Sequence, residues 1–327
     1  MYACPQKRAY LCGDRAEHRR EWVRELIRQA TGAFAIDVLA YTVMSNHLHL
    51  VVRTDPDRVA AWTPAEVAAR WASAHPRMGL NGAPRAWSAG DIAEKAADPT
   101  WIASTRKRLR SLSWCMKCIK ERLARRANRD DGCTGHFWEG RFQSVPLLDQ
   151  GAVIAAMAYV DLNPIRAAMT DRPERSDYTS VQDRCIARQN HHAAHMAPTP
   201  TAPTSTPESN LWIAPIVRAT IDQPDGCAFT AAVTLDEYLT LVDETGRIVR
   251  GDKRGAIPTT LAPILDRLHL DLTAWLALMR SGGHFGLGSF GALASRASEA
   301  LKRGATWIID TTAGLYRDDL RAESTTA

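Results

Sequence analysis

The first candidate functional side chains in this sequence are two histidines separated by a single residue. His47 and His49 lie in the run HLHLVV, whose alternation is typical of a β-strand. Alternate side chains of a strand point to the same face, so the two imidazoles could bind one divalent ion. The plain alternative is a pair of polar side chains on the solvent-facing side of the strand, and the spacing alone does not decide between the two.

A tyrosine and an asparagine four residues apart form a second candidate pair. Tyr159 and Asn163 fall within a predicted helix that begins after its N-cap, Asp149, and residues four apart share a helix face. A tyrosine on such an alanine-rich helix is commonly a half-buried core residue. Asn163 precedes Pro164, so it could instead cap a following helix, and the proline predicts that the first helix stops or kinks at about Leu162.

The third candidate feature is a concentration of positive charge. Residues 101–129 contain ten lysines and arginines but a single acid, Glu121, whereas residues 210–327 contain 12 basic and 14 acidic residues. This one-sided balance favours contact with a phosphate backbone over the alternative of a merely solvated charged face. The ten basic residues are Arg106, Lys107, Arg108, Arg110, Lys117, Lys120, Arg122, Arg125, Arg126 and Arg129.

Four aromatic residues lie in or just after the basic segment and could stack on unpaired bases, although several of them must also contribute to the core. These are Trp114, Phe137, Trp138 and Phe142. The neighbouring pair Cys115 and Cys118 has the CxxC spacing, but no second pair accompanies it, so neither a zinc site nor a redox motif is predicted.

Composition excludes several classes of protein. The 327 residues are 45% apolar and 24% charged, and no apolar run is long enough to span a membrane, so no membrane partner is predicted. The seven cysteines are irregularly spaced, which argues against a disulfide framework. The N-terminus has no apolar stretch typical of a secretory signal, so the sequence predicts a cytoplasmic protein. The net charge of +5 favours an anionic partner.

The elements that must position these residues follow from periodicity and from turn signals. Two β-rich runs joined by the turn Ser45-Asn46 predict an antiparallel hairpin, and therefore an α+β fold rather than a doubly wound parallel sheet. Residues 55–100 are expected to form an irregular helical insertion. The other predicted elements are a helix from His18 to Ala30, strands from Ile36 to Met44, His47 to Arg53 and Phe142 to Leu148, a long basic helix from Ser104 to Asn128, and a helix starting at Gln150.

A change of composition divides the chain. Residues 187–210 are rich in proline, threonine, serine and alanine without periodicity, which predicts a flexible linker. The sequence therefore predicts one domain over residues 1–186 and a mostly helical C-terminal extension over residues 211–327, to which it assigns no role.

Three motifs in a fixed order resemble those of a known family. The HUH motif of single-tyrosine HUH transposases, two histidines around a hydrophobic residue, resembles the stretch AYTVMSNHLHLVVRTDP at 40–56. The later motifs of REP-associated tyrosine transposases resemble GHFWEGRFQS at 135–144 and AYVDLNPIRAAM at 158–169. HLH alone is a weak signal, but the three motifs in this order are specific. The resemblance extends over residues 8–183 and leaves the C-terminal part uncovered.

This resemblance implies a fold, a reaction and a set of site residues. The fold would be an RRM/ferredoxin-like antiparallel sheet backed by helices, as in HUH endonucleases. His47 and His49 would bind Mg²⁺ or Mn²⁺, with Asn163 as a third ligand. Tyr159 would attack a phosphodiester of single-stranded, hairpin-containing (REP-like) DNA, leaving a 5′-phosphotyrosine and a free 3′-OH. The residues expected to contact DNA are Arg106, Lys107, Arg108, Arg110, Lys117, Lys120, Arg141 and Arg166.

The N-terminus departs from the family's pattern. The family's first strand, usually followed by an arginine-rich turn, would have to fit within the residues MYACPQK, so a short first strand is expected. A shortened strand in the middle of a sheet favours a second hypothesis, a decayed transposase that binds nucleic acid without cleaving it. A replication initiator or relaxase fits less well, because such enzymes resemble this chain only at HLH. The sequence leaves open whether the chain forms a homodimer.

Overall fold

The computed structural model describes residues 2–4, 11–12, 17–78, 84–195, 206–216 and 233–250. The fold of these residues is α+β, as the sequence predicts, and none of their helices is both long and apolar enough to cross a membrane. Four strands form an antiparallel sheet in the order β2-β3-β1-β6, while β4 and β5 form a separate hairpin. The strands are β1 (Tyr2–Cys4), β2 (Ile36–Val43), β3 (Leu48–Thr54), β4 (Arg77–Met78), β5 (Pro84–Arg85) and β6 (Gln143–Val145). The helices are α1 (Arg19–Ala33), α2 (Pro56–Ala61), α3 (Pro64–Ala74), α4 (Ala89–Ala96), α5 (Pro99–Leu109), α6 (Leu112–Asp130), α7 (Gln150–Arg166), α8 (Ser180–His195) and α9 (Leu235–Arg250).

Several local predictions are confirmed. The β2–β3 hairpin turns at Ser45-Asn46 and places Thr42 opposite His49. Helix α1 covers the predicted amphipathic segment, and the Asp149 side chain caps α7 by accepting a hydrogen bond from the Ala152 N–H at 2.8 Å. Strand β6 is shorter than the predicted run of 142–148.

The first strand is short, as expected, and it lies in the middle of the sheet. Tyr2 of β1 is opposite Val51 of β3 on one side and opposite Val145 of β6 on the other. Strand β3 therefore pairs on both edges, with β2 and with β1.

The two faces of the sheet belong to two hydrophobic cores. Leu48, Leu50 and Val52 of β3 pack in one core with α1, α3, α5 and α6, whereas Val51 packs in the other with α7 and α9. This alternation is the period-two pattern that the sequence predicts for the strand. Residues at odd positions of β3, including His49, consequently face α7.

The predicted basic helix is two helices, which corrects the expectation of a continuous helix over 104–128. Helix α5 ends at Leu109 and α6 begins at Leu112, with Ser111 extended between them. The Leu109 carbonyl accepts a hydrogen bond at 2.9 Å from the N–H of Ala35, the residue before β2. A tertiary contact thus takes a carbonyl that a longer helix would have used.

Residues 55–100 are more regular than the expected irregular insertion. Their described part forms α2, α3, the β4–β5 hairpin and α4. Capping boxes fix the starts of two helices, with Thr63 and Glu66 at α3 and with Ser88 and Asp91 at α4. Both boxes are visible in the sequence as a hydroxyl residue three positions before an acid.

Helix α7 runs through Pro164 to Arg166, so of the two predicted effects of the proline, a stop or a kink near Leu162, the stop does not occur. A proline cannot donate to the carbonyl four residues back, which here belongs to Val160. That carbonyl accepts a hydrogen bond from the Thr42 hydroxyl at 2.6 Å instead. Because the sheet supplies the missing donor, the helix continues past the proline.

The segment predicted as a flexible linker begins as a helix, since α8 extends to His195, while 196–205 lie outside the described residues. Residues 206–216 lie against the sheet, where the Ala214 N–H donates to the Val38 carbonyl at 2.7 Å. Helix α9 packs on α7 within one hydrophobic core. The first described part of the predicted extension thus shares a core with the sheet, whereas any separate unit over residues 251–327 stays a prediction outside the described residues.

A buried carboxylate joins α7 to α8 and α9. Asp161 accepts hydrogen bonds from the Ser180 hydroxyl, from the Val181 N–H at 3.1 Å and from the Tyr238 hydroxyl at 2.6 Å. Burial raises its pKa to about 6, although Arg184 and the three donors favour the ionised form. The carboxylate therefore depends on its donors to remain charged inside the protein.

Removing the Tyr238 hydroxyl tests this network. Tyr238→Phe should lower the free energy of unfolding by about 1–3 kcal/mol, because the buried carboxylate loses a donor. The loss should be larger at about pH 8 than at about pH 5, because the donor stabilises the ionised form, which dominates in the folded protein only above a pKa of about 6. Urea unfolding followed by circular dichroism measures both values, with Tyr178→Phe as the control outside the network. Equal losses at the two pH values would contradict an ionised Asp161.

Candidate active site

The two histidines lie together at the start of β3. His47 immediately precedes the strand and His49 is its second residue, and their ring centroids are 4.5 Å apart with nearly perpendicular rings. His47 is partly buried, and His49 is 4% exposed. The structure brings the pair together as predicted, and burial beneath α7 rules out a solvent-facing position for His49.

Asn46 orients the first histidine. Its side-chain oxygen lies 2.6 Å from Nδ1 of His47. An amide oxygen accepts hydrogen bonds, so this contact favours the tautomer in which Nδ1 carries the proton and Nε2 retains its lone pair. In the sequence Asn46 is only a turn residue, and its position next to the HLH motif is the signal that could have indicated this second role.

Tyr159 reaches the histidines from α7. Its ring centroid lies 5.8 Å from that of His49, with the two rings close to perpendicular. The side chain is 6% exposed and belongs to the core between α7 and the sheet. The two interpretations left open by the sequence are therefore compatible, because Tyr159 is both a core residue and the neighbour of His49.

Asn163 lies one turn after Tyr159, inside α7. Its Nδ2 donates to the Tyr159 carbonyl at 2.8 Å. It does not cap a following helix, which corrects one of the two interpretations that the sequence left open. Because the amide nitrogen is turned to the helix backbone, the amide oxygen is the atom that remains to accept or to ligate.

The electrostatics of the site keep the imidazoles neutral. Burial lowers the pKa of His47, and burial together with His47 and Arg166 lowers the pKa of His49 well below its ordinary value. The cation is close, since Cζ of Arg166 lies 5.1 Å from the centroid of the Tyr159 ring. Neutral imidazole is the form that binds metal ions, so both histidines are poised as ligands.

These side chains fit a divalent ion. Two neutral imidazoles stand on a rigid strand, and an outer hydrogen bond sets the tautomer of His47. Among the described residues, no group of three His, Cys, Asp or Glu side chains could hold a metal ion. The amide oxygen of Asn163 stays the prediction for a third protein ligand, and such an ion would keep coordination positions for phosphate oxygens.

The basic residues predicted to bind DNA serve different purposes. Arg106 donates to the carbonyls of Val59 and Trp62 at the end of α2, so two of its guanidinium nitrogens are engaged in the fold, and its contact with DNA stays a prediction. Lys120 donates to the Gly140 carbonyl at 2.6 Å and is only partly exposed. Neither side chain is an independent surface cation.

Other cations of the predicted set are exposed and make no ion pair with any described residue. By contrast, exposed arginines of α1 pair with acids of the same helix, as Arg24 does with Glu21 at 2.8 Å and Arg28 with Glu25 at 2.9 Å. Unpaired charge at the surface is the property expected of a phosphate-binding surface. We define the basic face as the exposed residues Lys107, Arg110, Lys117 and Arg141.

The aromatic residues near this face are less available than predicted. Phe137 is buried in the core, in agreement with the expectation that several of these aromatic residues also contribute to it. Trp138 donates from Nε1 to the Lys120 carbonyl at 2.9 Å, and Phe142 is partly buried. Trp114 is also partly buried and is covered by two cations, with Cζ of Arg108 4.8 Å and Nζ of Lys117 4.9 Å from its ring centroid.

The CxxC pair lies in the interior of α6. Cys115 and Cys118 are buried, and burial raises the pKa of both thiols. Raised pKa values disfavour the thiolate, which is the reactive form.

Comparison of the chain with models of protein families, with curated proteins and with solved structures found no match. The likeness to transposases therefore depends on the three sequence motifs and on the arrangement of His47, His49, Tyr159 and Asn163.

Proposed function

We propose that this protein is a metal-dependent single-tyrosine transposase that cleaves and rejoins single-stranded, hairpin-containing DNA. The observation that carries the proposal is the meeting of His49 and Tyr159, which lie far apart in sequence and come within 5.8 Å of each other between ring centroids. His47 lies against His49 on the same side, and Asn163 follows Tyr159 on the same helix face. These contacts support the assignment of all four side chains, which the sequence motifs single out, to one site.

The proposed fold is the RRM/ferredoxin-like sheet of HUH endonucleases. It is supported by an antiparallel sheet whose strand β3 carries His49 and whose one face is covered by α7, which carries Tyr159. The short β1 pairs with two neighbours, so the sheet retains its central strand. This arrangement favours an intact catalytic sheet over the decayed form that the N-terminal sequence suggests.

The proposed reaction is a transesterification. The Tyr159 oxygen attacks phosphorus, the bond from phosphorus to the 3′-oxygen breaks, and the proton lost by the phenol is balanced by one gained by the 3′-oxygen. The products are a 5′-phosphotyrosine and a 3′-OH, and the reverse attack rejoins strands without an added energy source. Mg²⁺ or Mn²⁺ held by His47, His49 and Asn163 would polarise a phosphate oxygen and neutralise the charge that develops on it.

The chain's own residues explain how the tyrosine is positioned. Tyr159 is held by core packing. The residue that follows it, Val160, accepts a hydrogen bond at its carbonyl from the Thr42 hydroxyl, which fixes the position of α7 relative to the sheet. A nucleophile that is already held in one orientation loses little conformational entropy when the reaction takes place. Burial of His49 excludes water from one side of the site.

A second candidate function is binding of nucleic acid without cleavage. The basic face supports it, because its cations have no carboxylate partner among the described residues and would bind phosphates with or without chemistry at Tyr159. Formation of a covalent protein–DNA adduct separates the two functions.

The first prediction for this site concerns the nucleophile. Tyr159→Phe should abolish the covalent adduct formed with a labelled hairpin single strand in Mn²⁺, because only the hydroxyl oxygen can form the ester. Affinity for the same hairpin should change by less than about threefold, since affinity comes mainly from phosphate contacts. Denaturing gel electrophoresis measures the adduct and a filter-binding titration measures affinity, with Tyr178→Phe as the matched control. Wild-type protein that binds the hairpin but forms no adduct would leave only the binding function.

A second prediction concerns the metal ligands. His49→Ala should remove detectable binding of Mn²⁺, followed by electron paramagnetic resonance of the free ion. Asn46→Ala should weaken it by about 10-fold, because His47 loses the hydrogen bond that fixes its tautomer. His192→Ala, which removes an exposed histidine of α8, should leave binding unchanged. Mn²⁺ binding that persists undiminished in both site variants would show that the histidine pair is not the metal site.

A third prediction concerns the basic face. Changing Lys107, Arg110 and Lys117 together to glutamine should lower the slope of log K against log salt by about 2, because each phosphate contact with a single strand contributes about 0.7. The loss should be similar for unrelated single-stranded sequences.

The control for that prediction removes the same charge elsewhere. Arg24, Arg28 and Arg53 are also exposed or partly exposed, but each pairs with an acid. Changing these three to glutamine should leave the salt slope nearly unchanged. Equal effects of the two triple variants would mean that net charge alone, and not the basic face, attracts DNA.

A further inference from the structure

The last turn of α7 brings a third side chain to the tyrosine. Tyr159, Asn163 and Arg166 are spaced four and three residues apart, so they lie on one face of the helix. The guanidinium of Arg166 lies over the Tyr159 ring, with 5.1 Å from Cζ to the ring centroid. Asp161, which binds α8 and α9, points away from that face. The candidate catalytic side chains therefore lie on one side of α7, and Asp161 lies on the other.

The charge on Arg166 is not neutralised by the part of the chain that the structure describes. Its Nη1 is buried and has no hydrogen-bond partner there. Its pKa is lowered by burial and raised only by Tyr159, with no contribution from a carboxylate. The comparable pair elsewhere differs, since Arg24 lies 5.5 Å from the Tyr178 ring centroid but forms an ion pair with Glu21 at 2.8 Å.

A buried guanidinium N–H without an acceptor is costly, so a bound anion is the partner that such a group favours. Guanidinium groups are well suited to phosphate because their planar donors match two of its oxygens. Arg166 lies over the ring of the proposed nucleophile, so its guanidinium is close to the place where a scissile phosphate would bind. We propose that Arg166 is a catalytic residue that donates from its guanidinium to a non-bridging oxygen of the scissile phosphate, an inference that rests on the proposed function of Tyr159.

The contribution of Arg166 follows from the charge that develops in the reaction. As the bond between the tyrosine oxygen and phosphorus forms and the bond to the 3′-oxygen breaks, negative charge concentrates on the non-bridging oxygens. A preorganised cation in a water-poor site stabilises that charge more than it stabilises the bound substrate. Loss of Arg166 should therefore reduce the rate of adduct formation more than the affinity for DNA.

The experiment compares Arg166→Ala and Arg166→Lys with the wild-type full-length chain on two hairpin single strands. One strand carries a normal phosphodiester at the cleavage site, and the other carries a methylphosphonate, in which a neutral methyl group replaces one charged oxygen.

On the phosphodiester, Arg166→Ala should slow adduct formation at saturating DNA by about 100-fold to 1,000-fold. Arg166→Lys should recover part of the rate, because it keeps the charge without the planar donors. On the methylphosphonate, Arg166→Ala should slow the reaction by less than about threefold, because the transition state on this substrate carries one negative charge fewer and leaves much less charge for Arg166 to stabilise.

The control is Arg24→Ala, which removes an arginine over a tyrosine ring outside the candidate site and should leave both rates unchanged. An unchanged rate for Arg166→Ala on the phosphodiester, or equal slowing on the two substrates, would overturn the role of Arg166 while leaving Tyr159 as the nucleophile. Wild-type protein that forms no adduct with either strand would overturn the proposed function and the role of Arg166 with it. If Arg166→Ala fails to fold, as judged by circular dichroism, the rates of Arg166→Lys on the two substrates give the same comparison.

Discussion

Helix α7 is held against the sheet by hydrogen bonds that are wholly buried, and the candidate site depends on them. Asp161 accepts from Ser180, Val181 and Tyr238, while the Val160 carbonyl accepts from Thr42. The first set joins α7 to α8 and α9, and the second joins it to β2. Water does not readily reach the interior to replace these hydrogen bonds. Displacing α7 would therefore leave a buried charged or polar group without a partner, which is unfavourable in free energy. The position of Tyr159 therefore depends on the contacts that the next two residues of the helix, Val160 and Asp161, make with elements distant in sequence.

Residues that follow the transposase-like motifs in the sequence help to hold α7 in place. Tyr238 of α9 donates to Asp161, and Gly246 of the same helix approaches Leu162 so closely that an added Cβ would lie 3.1 Å from its Cδ2. Helix α9 therefore packs tightly on the side of α7 that does not carry the candidate chemistry. The segment at 206–216 adds a second attachment, because Glu208 forms a fully buried ion pair with Arg184 of α8. The first attachment contacts α7 directly, whereas the second acts on α8, which Asp161 joins to α7.

Arginine serves three purposes in this protein, and only the surroundings distinguish them. Arg106 satisfies backbone carbonyls at the end of a helix, and Arg184 neutralises a buried acid and binds the Leu39 carbonyl. Arg110 is exposed and unpaired among the described residues. A charge count over 101–129 treats such residues alike, so it indicates a basic segment but does not distinguish Arg106, whose guanidinium binds backbone carbonyls, from the exposed Arg110. Whether a guanidinium is available to a phosphate is decided by the acceptors that the fold places within its reach.

Features that depend on neighbours a few residues away could be predicted from the sequence alone, namely the β2–β3 hairpin, the shared direction of His47 and His49, and the cap at Asp149. These follow from strand and helix periods and from local hydrogen bonds, which do not need the rest of the chain. The continuation of α7 past Pro164 depends on a distant residue, because the hydroxyl of Thr42 in β2 donates to the Val160 carbonyl in place of the N–H that the proline lacks. The division of the basic segment into α5 and α6 also depends on a tertiary contact, in which the Leu109 carbonyl accepts a hydrogen bond from the Ala35 N–H. The meeting of Tyr159 with His49 belongs to the same class, since contacts between distant segments are set by how helices pack on a sheet, and no local pattern contains that information.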